Sequence, residues 1–277
     1  MLAALIIVFR EVFEAGLIVG IVLAVTRSVP RRNLWIGAGV LAGVVAACVV
    51  AMFAGALSNL FAGMGQELFN AAILIVAVVM LTWHNVWMAR HGSELAGEMR
   101  SAGQAVVEGS KSLLALAVVV GVAVLREGSE VVLFLYGVLA AGGDSSWSVA
   151  LGGLAGLALG ATVCLLTYFG LLRIPARALF TTTTVLIALL AAGMAAQAAA
   201  FLEKANWLTA MDTIVWDSGW ILSDSSFTGR ALHTLIGYTD QPTAMQLTVY
   251  IAILLVTFVL MRLYGSPEKA KPAPAHS

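Results

Sequence analysis

Seven stretches of this chain are apolar over roughly the 20 residues that a helix needs to cross bilayer hydrocarbon. They cover about 2–25, 34–57, 67–88, 113–140, 149–172, 178–202 and 246–264. Backbone facing lipid finds no water, so each stretch must satisfy its own N–H and C=O groups as a helix. Barrel strands would be shorter and would alternate in polarity, and these runs do neither. The predicted fold is an all-α integral membrane protein of seven transmembrane helices. A single transmembrane domain fills 1–265, and a Pro-, Ala- and Lys-rich cytoplasmic tail at 266–277 reads as disordered.

Charge supports this reading. Only 11% of the 277 residues are charged, against about a quarter in a soluble domain. A net charge of zero gives a nucleic acid nothing to bind. Met1 leads into an apolar run with no basic residue before it, and the run contains Arg10, Glu11 and Glu14. It therefore reads as a retained first span, not a cleaved signal. Lys and Arg gather in alternate connections: Arg27, Arg31 and Arg32; Arg90, Arg100 and Lys111; Arg173 and Arg177; and Arg262, Lys269 and Lys271. Basic connections stay in the cytoplasm. The chain is thus expected as a multi-pass protein of the cytoplasmic (inner) membrane, with its N-terminus outside and its C-terminus cytoplasmic.

A shift of 116 residues lays Arg10-Glu11-Val12-Phe13-Glu14 on Arg126-Glu127-Gly128-Ser129-Glu130, and Cys48 on Cys164. Charged triplets and the sole two cysteines agree at one offset. Spans one to three (about 1–90) map onto spans four to six (about 113–204), and three is odd, so the second copy is expected upside down. Inverted repeats of this kind are a transporter architecture with the site near the midplane. The seventh span stands outside the repeat. The two cysteines read as inert packing thiols.

The Arg-Glu-x-x-Glu copies sit mid-span, where an ionised residue costs about 2.5–3.5 kcal/mol and a large apolar one returns about 0.3–0.6. Three charges in span one cost roughly 8–10 kcal/mol, about twice what its apolar residues return. Such a helix is retained only if its charges find partners. Glu11 and Glu14 share a helix face, and Arg10 reaches that face from one turn away; Arg126, Glu127 and Glu130 repeat the pattern. If spans one and four cross at the midplane, four carboxylates meet two guanidinium groups, a net charge of minus two. That is a cation site, and all-oxygen donors suit hard cations such as ferric iron, manganese, magnesium or calcium. No thiolate, thioether or imidazole lies in either copy, which argues against monovalent copper and zinc.

At these residues the chain resembles the oxidase-dependent iron transporter family, which takes in fungal high-affinity iron permeases and bacterial EfeU-type permeases. That family has seven spans with an Arg-Glu-x-x-Glu motif in the first and fourth. Here Phe9–Ile21 and Leu125–Gly137 are similar to those segments, and the resemblance runs over all seven spans. The first copy departs from the Gly-containing form found in the second. The resemblance implies iron as the transported substrate, with no cofactor and no enzymatic activity; it assigns Glu11, Glu14, Glu127 and Glu130 to the metal, with Arg10 and Arg126 as supporting charge.

Weaker signals surround this core. Trp83-His84-Asn85 ends span three near the cytoplasmic face; His84 reads as an interfacial anchor or as a ligand on the exit pathway. The longest outer segment, 203–246, carries Glu203, Asp212, Asp217, Asp224 and Asp240 with Trp207, Trp216 and Trp220. It reads as an acidic vestibule, as an amphipathic interfacial helix at about 206–222, or as both. Glu67 opens span three on the same side and is a candidate member of the vestibule. Gly39/Gly43 and Gly156/Gly160 are small-x-x-x-small pairs suited to close helix contact. The partners expected are the iron ion, membrane lipid and an outer-face oxidase or iron-donor protein. Competing readings are a carrier of another hard or divalent cation (manganese, lead) and a membrane di-iron oxidoreductase. The latter typically adds Glu-x-x-His pairs, which no span contains.

The orientation is testable directly. In a Cys48→Ser/Cys164→Ser background, Pro30→Cys should react with an impermeant thiol reagent only from the cytoplasmic side. Labelling from outside the cell refutes it.

Overall fold

In a computed structural model the chain is described over residues 1–60, 66–142, 145–170, 176–224 and 226–264. It forms eight helices among these residues: α1 (Leu2–Val25), α2 (Arg32–Leu60), α3 (Gln66–Val107), α4 (Leu113–Ala141), α5 (Ser146–Tyr168), α6 (Ala176–Lys204), α7 (Phe227–Ile236) and α8 (Ala244–Tyr264). The expected tail and Arg173 lie outside the described residues.

Five segments are long and apolar enough to cross a membrane: Arg32–Ala54, Glu67–His91, Ser146–Tyr168, Thr181–Lys204 and Ala244–Tyr264. The chain is thus a multi-pass, all-helical membrane protein. The other two long helices, α1 and α4, are as apolar except for the three charges each carries in mid-helix. Leu41, Phe53, Val79, Leu154, Leu165 and Phe258 are among the many large apolar side chains left exposed, an outer surface that suits lipid and not water.

The helices pair by exchange. α1 packs on α5 and α2 packs on α4, while α1 meets α4 and α3 meets α6. Small residues make the first two contacts possible. A Cβ on Gly39 would stand 2.5 Å from the carbonyl oxygen of Ala117, and one on Gly156 would stand 2.5 Å from that of Leu5. The contrast between the two charged motifs has the same origin. Val12 of α1 packs into the space left by Gly160 of α5; the corresponding Gly128 of α4 leaves room for Ala47 of α2. Knob and hole are interchanged between the two pairs. Of the cysteines, Cys164 is partly buried with its thiol 3.8 Å from the carbonyls of Val12 and Phe13. Cys48 is exposed on α2, which corrects its reading as a packed thiol.

The core is built in two clusters. One joins Ala3, Ile7, Leu74, Ala77, Leu81, Phe134, Val138, Ile187 and Ala191. The other joins Val22, Ile36, Val106, Leu116 and Val120. Helix α1 ends with its carbonyls occupied: Thr26 Oγ1 donates to Val22 O (2.7 Å) and Arg32 Nη1 to Leu23 O (2.6 Å).

Two expectations need correction. The apolar span three ends close to where it is expected, at His91, but its helix does not end with it. Helix α3 runs 42 residues, roughly 63 Å at 1.5 Å per residue, about twice the hydrocarbon thickness. Its second half is charged, and Val106 near its end is buried against α1, α2 and α4. Residues 206–222 do not form a helix. Asn206 and Met211 take positive φ (57° and 63°), which side chains rarely adopt in regular structure. The backbone of 211–218 pairs instead with the returning segment: Val215 N to Pro242 O (3.0 Å), Ser218 N to Asp240 O (2.9 Å), Ala244 N to Thr213 O (2.9 Å). The amphipathic spacing is real, but long-range pairing satisfies those backbone groups better than a local ladder does. The helix of this segment is α7, capped by Ser226, whose Oγ accepts from Gly229 N at 2.9 Å, and closed by Gly237 in the left-handed conformation.

The glycine contacts predict opposite outcomes for one kind of change. Gly156→Ala must push α1 from α5 and should lower the melting temperature of the purified protein, at a cost of about 1–3 kcal/mol. Gly20→Ala has nothing within 4 Å of the added methyl and should be neutral or stabilising by up to about 1 kcal/mol.

Candidate metal centre

The charged residues of α1 and α4 converge on one locus with a residue of α3. Arg10, Glu11 and Glu14 are all buried, Arg10 at 2% exposure. One helical turn joins Arg10 Nε to Glu14 Oε1 at 2.9 Å, and Arg10 Nη1 lies 3.6 Å from Glu11 Oε1. On α4, Arg126 Nε lies 3.4 Å from Glu130 Oε1 and 3.7 Å from Glu127 Oε1. Glu127 is buried and Glu130 nearly so.

His84 of α3 stands between the two motifs. Its Nε2 is 3.4 Å from Glu14 Oε2 and 3.9 Å from Glu11 Oε2, and its Nδ1 contacts Glu130 Oε2. The ring is 5% exposed, whereas the adjacent Trp83 is 70% exposed. Asn85 is buried too and its Nδ2 donates to Thr184 O of α6 (3.2 Å). The interfacial-anchor reading therefore fails for His84 and Asn85, which are buried, while Trp83 is exposed. A signal for this was present in the sequence. Leu74, Ala77, Val78 and Leu81 form the buried stripe of α3, and His84 and Asn85 continue it at helical spacing, while Trp83 falls off it.

Glu11, His84, Glu127 and Glu130 can each offer a donor atom, all four within 4.8 Å of one another. Among the described residues, both carboxylate oxygens of Glu11 and of Glu127 lack a hydrogen bond. Burying an ionised carboxylate without partners is costly, so these oxygens mark a place suited to a cation. The donor set differs from the all-oxygen one expected. An imidazole nitrogen suits iron, and equally zinc, copper and nickel, so ligand type no longer argues against zinc. Glu14 is held by Arg10 and His84 and lies beside the four-residue cluster, not within it.

The two arginines are not equivalent. Arg10 is enclosed. The Arg126 side chain is 35% exposed and stacks over Trp87, its Cζ 4.3 Å from the ring centroid.

The remaining candidates are elsewhere. Glu67 is exposed at the start of α3, and Asp212 is exposed. Asp217 is exposed but engaged, accepting from Gly219 N and Gln241 Nε2, both at 2.9 Å. Asp224 and Asp240 each donate a backbone N–H to the other's carboxylate (3.2 and 3.1 Å), and partial burial pushes the Asp224 carboxyl above its ordinary range. Glu203 takes Thr243 Oγ1 and Gln246 Nε2, tying α6 to α8. Most acids of the expected vestibule thus hold the loop's own chain.

The family model that matches residues 1–269 is described as that of the iron permease FTR1 family. A protein of Escherichia coli O6:H1 called ferrous iron permease EfeU is 32% identical over 268 residues, covering 94% of this chain and 96% of that protein. A protein of the same name in Yersinia pestis is 31% identical over 265 residues, covering 94% and 93%. In Shigella sonnei the figures are 30% over 267 residues, 95% and 96%. No solved structure matches the chain significantly.

The arginine asymmetry predicts unequal variants. Arg10→Gln leaves Glu11 and Glu14 buried without their cation, at a cost of about 3–5 kcal/mol, and should sharply reduce the folded protein recovered from membranes. Arg126→Gln should cost about 1 kcal/mol or less and leave most of it. Fluorescence-detected size-exclusion chromatography of tagged variants compares the two.

Proposed function

The chain belongs to the iron permease FTR1 family, and from that premise we propose that it carries iron across the cytoplasmic membrane through the buried Glu/His cluster. It is a transporter and not an enzyme. The observation that supports this route is the meeting of Glu11, His84, Glu127 and Glu130 from three helices within 4.8 Å, where both carboxylate oxygens of Glu11 and of Glu127 lack a hydrogen bond.

Seven crossings complete the reading: the five apolar spans plus α1 and α4, whose charges are turned inward. The exchange pairing of α1 with α5 and α2 with α4 is what two inverted three-helix repeats would produce, with α8 as the seventh crossing. The Lys/Arg pattern puts the N-terminus outside and the C-terminus in the cytoplasm.

The chemistry follows from charge and dielectric. A metal ion leaving water must recover its hydration energy. Four glutamates against two arginines supply a net minus two where little water screens it, and Coulomb attraction there far exceeds that at a surface. His84, whose two ring nitrogens lie against Glu14 and Glu130, adds an imidazole nitrogen to the donors a metal could use. Arg10 holds Glu14 at the edge of the cluster, keeping the site below the charge at which iron would bind too tightly to leave. Conduction needs that compromise. An outer-face oxidase or donor protein would supply the iron.

Radioactive iron uptake into proteoliposomes, with oxidation state clamped and manganese, zinc and lead as competitors, tests the reading. The Glu14→Gln/Glu130→Gln variant keeps side-chain size and removes two charges. Per folded chain recovered, it should lose uptake at sub-saturating iron more than about a hundredfold, since each buried charge is worth several kcal/mol. Near-normal uptake by this variant rejects the cluster as the iron route.

A further inference from the structure

Arg126 stands beside two carboxylates and does not close tightly on either. Its Nε makes a long hydrogen bond of 3.4 Å to Glu130 Oε1 and lies 3.7 Å from Glu127 Oε1, beyond the roughly 2.7–2.9 Å of a good charge-assisted bond. Both oxygens of Glu127 lack a hydrogen bond altogether. The copy of the motif on α1 does close: Arg10 Nε meets Glu14 Oε1 at 2.9 Å. Arginine and glutamates have the same spacing in the two copies, so the difference comes from what surrounds each arginine.

The competitor for Arg126 is on α3. The guanidinium carbon lies 4.3 Å from the centroid of the Trp87 ring. A guanidinium is weakly hydrated and gains by covering an aromatic face, and indole attracts a cation better than the other side-chain rings do. Trp87 follows His84 by three residues, which puts the two on one face of α3. His84 Nδ1 contacts Glu130 and Trp87 covers Arg126, so this face meets both signs of charge in the second motif. Trp87 is half-buried, in contrast to the exposed Trp83. Its own helix places it. The ring stacks on His91, centroids 5.0 Å apart at 16°, and its carbonyl oxygen accepts from His91 Nδ1 at 3.2 Å.

We propose that Trp87 is a positioning residue for iron: it competes with Glu127 and Glu130 for the Arg126 guanidinium and so keeps the oxygens of the α4 half free for the cation. The proposal rests on the transport reading. An arginine closed on both glutamates has to be displaced by each arriving ion. One held over an indole still offsets their charge through space and leaves their lone pairs vacant. The part-exposed guanidinium is therefore parked on the ring, ready to return to the carboxylates when the ion leaves.

The test is equilibrium binding of radioactive iron, with oxidation state clamped, to purified full-length protein in nanodiscs, expressed per folded chain. Trp87→Leu releases Arg126 onto the glutamates and should weaken iron binding about threefold to tenfold. Trp87→Phe keeps an aromatic face and should recover most of that loss. Trp87→Met, which fills more of the indole's volume without such a face, should behave as the leucine variant does and replaces it where the leucine protein is poorly recovered. In an Arg126→Gln background the loss of the indole should change nothing, because a residue that acts through Arg126 has no effect once Arg126 is gone. A tryptophan that only packs α3 against α4 would weaken binding equally with and without Arg126. That outcome overturns the proposal, as does unchanged affinity in the Trp87→Leu and Trp87→Met proteins. The route itself is judged separately, since near-normal uptake by the Glu14→Gln/Glu130→Gln protein rejects it whatever Trp87 does.

Discussion

Helix α1 carries Arg10, Glu11 and Glu14 into a region that has no water to solvate them, and the arrangement of the bundle is a response to that load. The helix cannot face lipid at its middle, because three ionised groups there cost more than its apolar residues return. It is therefore enclosed by α3, α4, α5 and α6, with the charges facing the one place where α4 brings a matching triplet. The 2.9 Å Arg10–Glu14 contact neutralises one pair within a single turn. Glu11 and Glu127 have only the longer contacts, 3.6 Å to Arg10 and 3.7 Å to Arg126, and four carboxylates outnumber the two guanidinium groups. A pair of charges can be glue; a surplus of like charge in the core needs a counter-ion.

Enclosing α1 and α4 dictates where small residues must fall. Two helices that meet at a charged crossing have to be backed closely from behind, or the carboxylates would drift apart. The backing is α5 on α1 and α2 on α4, made by Gly156 and Gly160 in one case and Gly39 and Gly43 in the other. The small-residue pairs, read from the sequence as places of close helix contact, hold the two walls of the candidate metal centre in place. The interchange of Val12/Gly160 for Ala47/Gly128 explains how the first motif dispenses with the glycine of the second: the volume it adds is removed from the partner helix.

What the sequence made legible follows from how strongly each feature is constrained. Apolar runs bounded by charges located α1, α4 and α8 to within a few residues, because a bilayer tolerates no other backbone there. The end of α3 was not legible, because the apolar run stops at the membrane surface while the helix continues through Arg90, Glu94 and Arg100, whose polarity is compatible with helix or loop alike. The segment 206–222 misled because amphipathic spacing speaks for a face, not for the hydrogen bonds behind it; the returning residues 240–245 took those bonds. His84 was legible as an anchor or as a ligand on the exit pathway, but not as a neighbour of the two motifs. Motif reasoning looked for donors within the two triplets, and the third wall came from a helix whose only hint was a polar pair in register with a buried stripe.

His84 also gives the site its asymmetry. The 116-residue shift that lays Glu14 on Glu130 lays His84 on Ala200, so only one of the two repeats supplies an imidazole. The arginines diverge in the same sense: Arg10 is sealed against Glu14, and Arg126 leans out over Trp87. Two superimposable carboxylate pairs thus face different surroundings, one rigidly paired and one with a counter-charge that has room to move. A carrier that faced both sides through two identical half-sites would hold its ion equally in either direction. On the proposed route the α4 half would exchange its arginine for the metal at lower cost than the α1 half, because moving a part-exposed guanidinium forfeits less than extracting a buried one. The two Arg-Glu-x-x-Glu motifs supply the four carboxylates. The departures from duplication, His84 and the unequal arginines, distinguish one face of the site from the other.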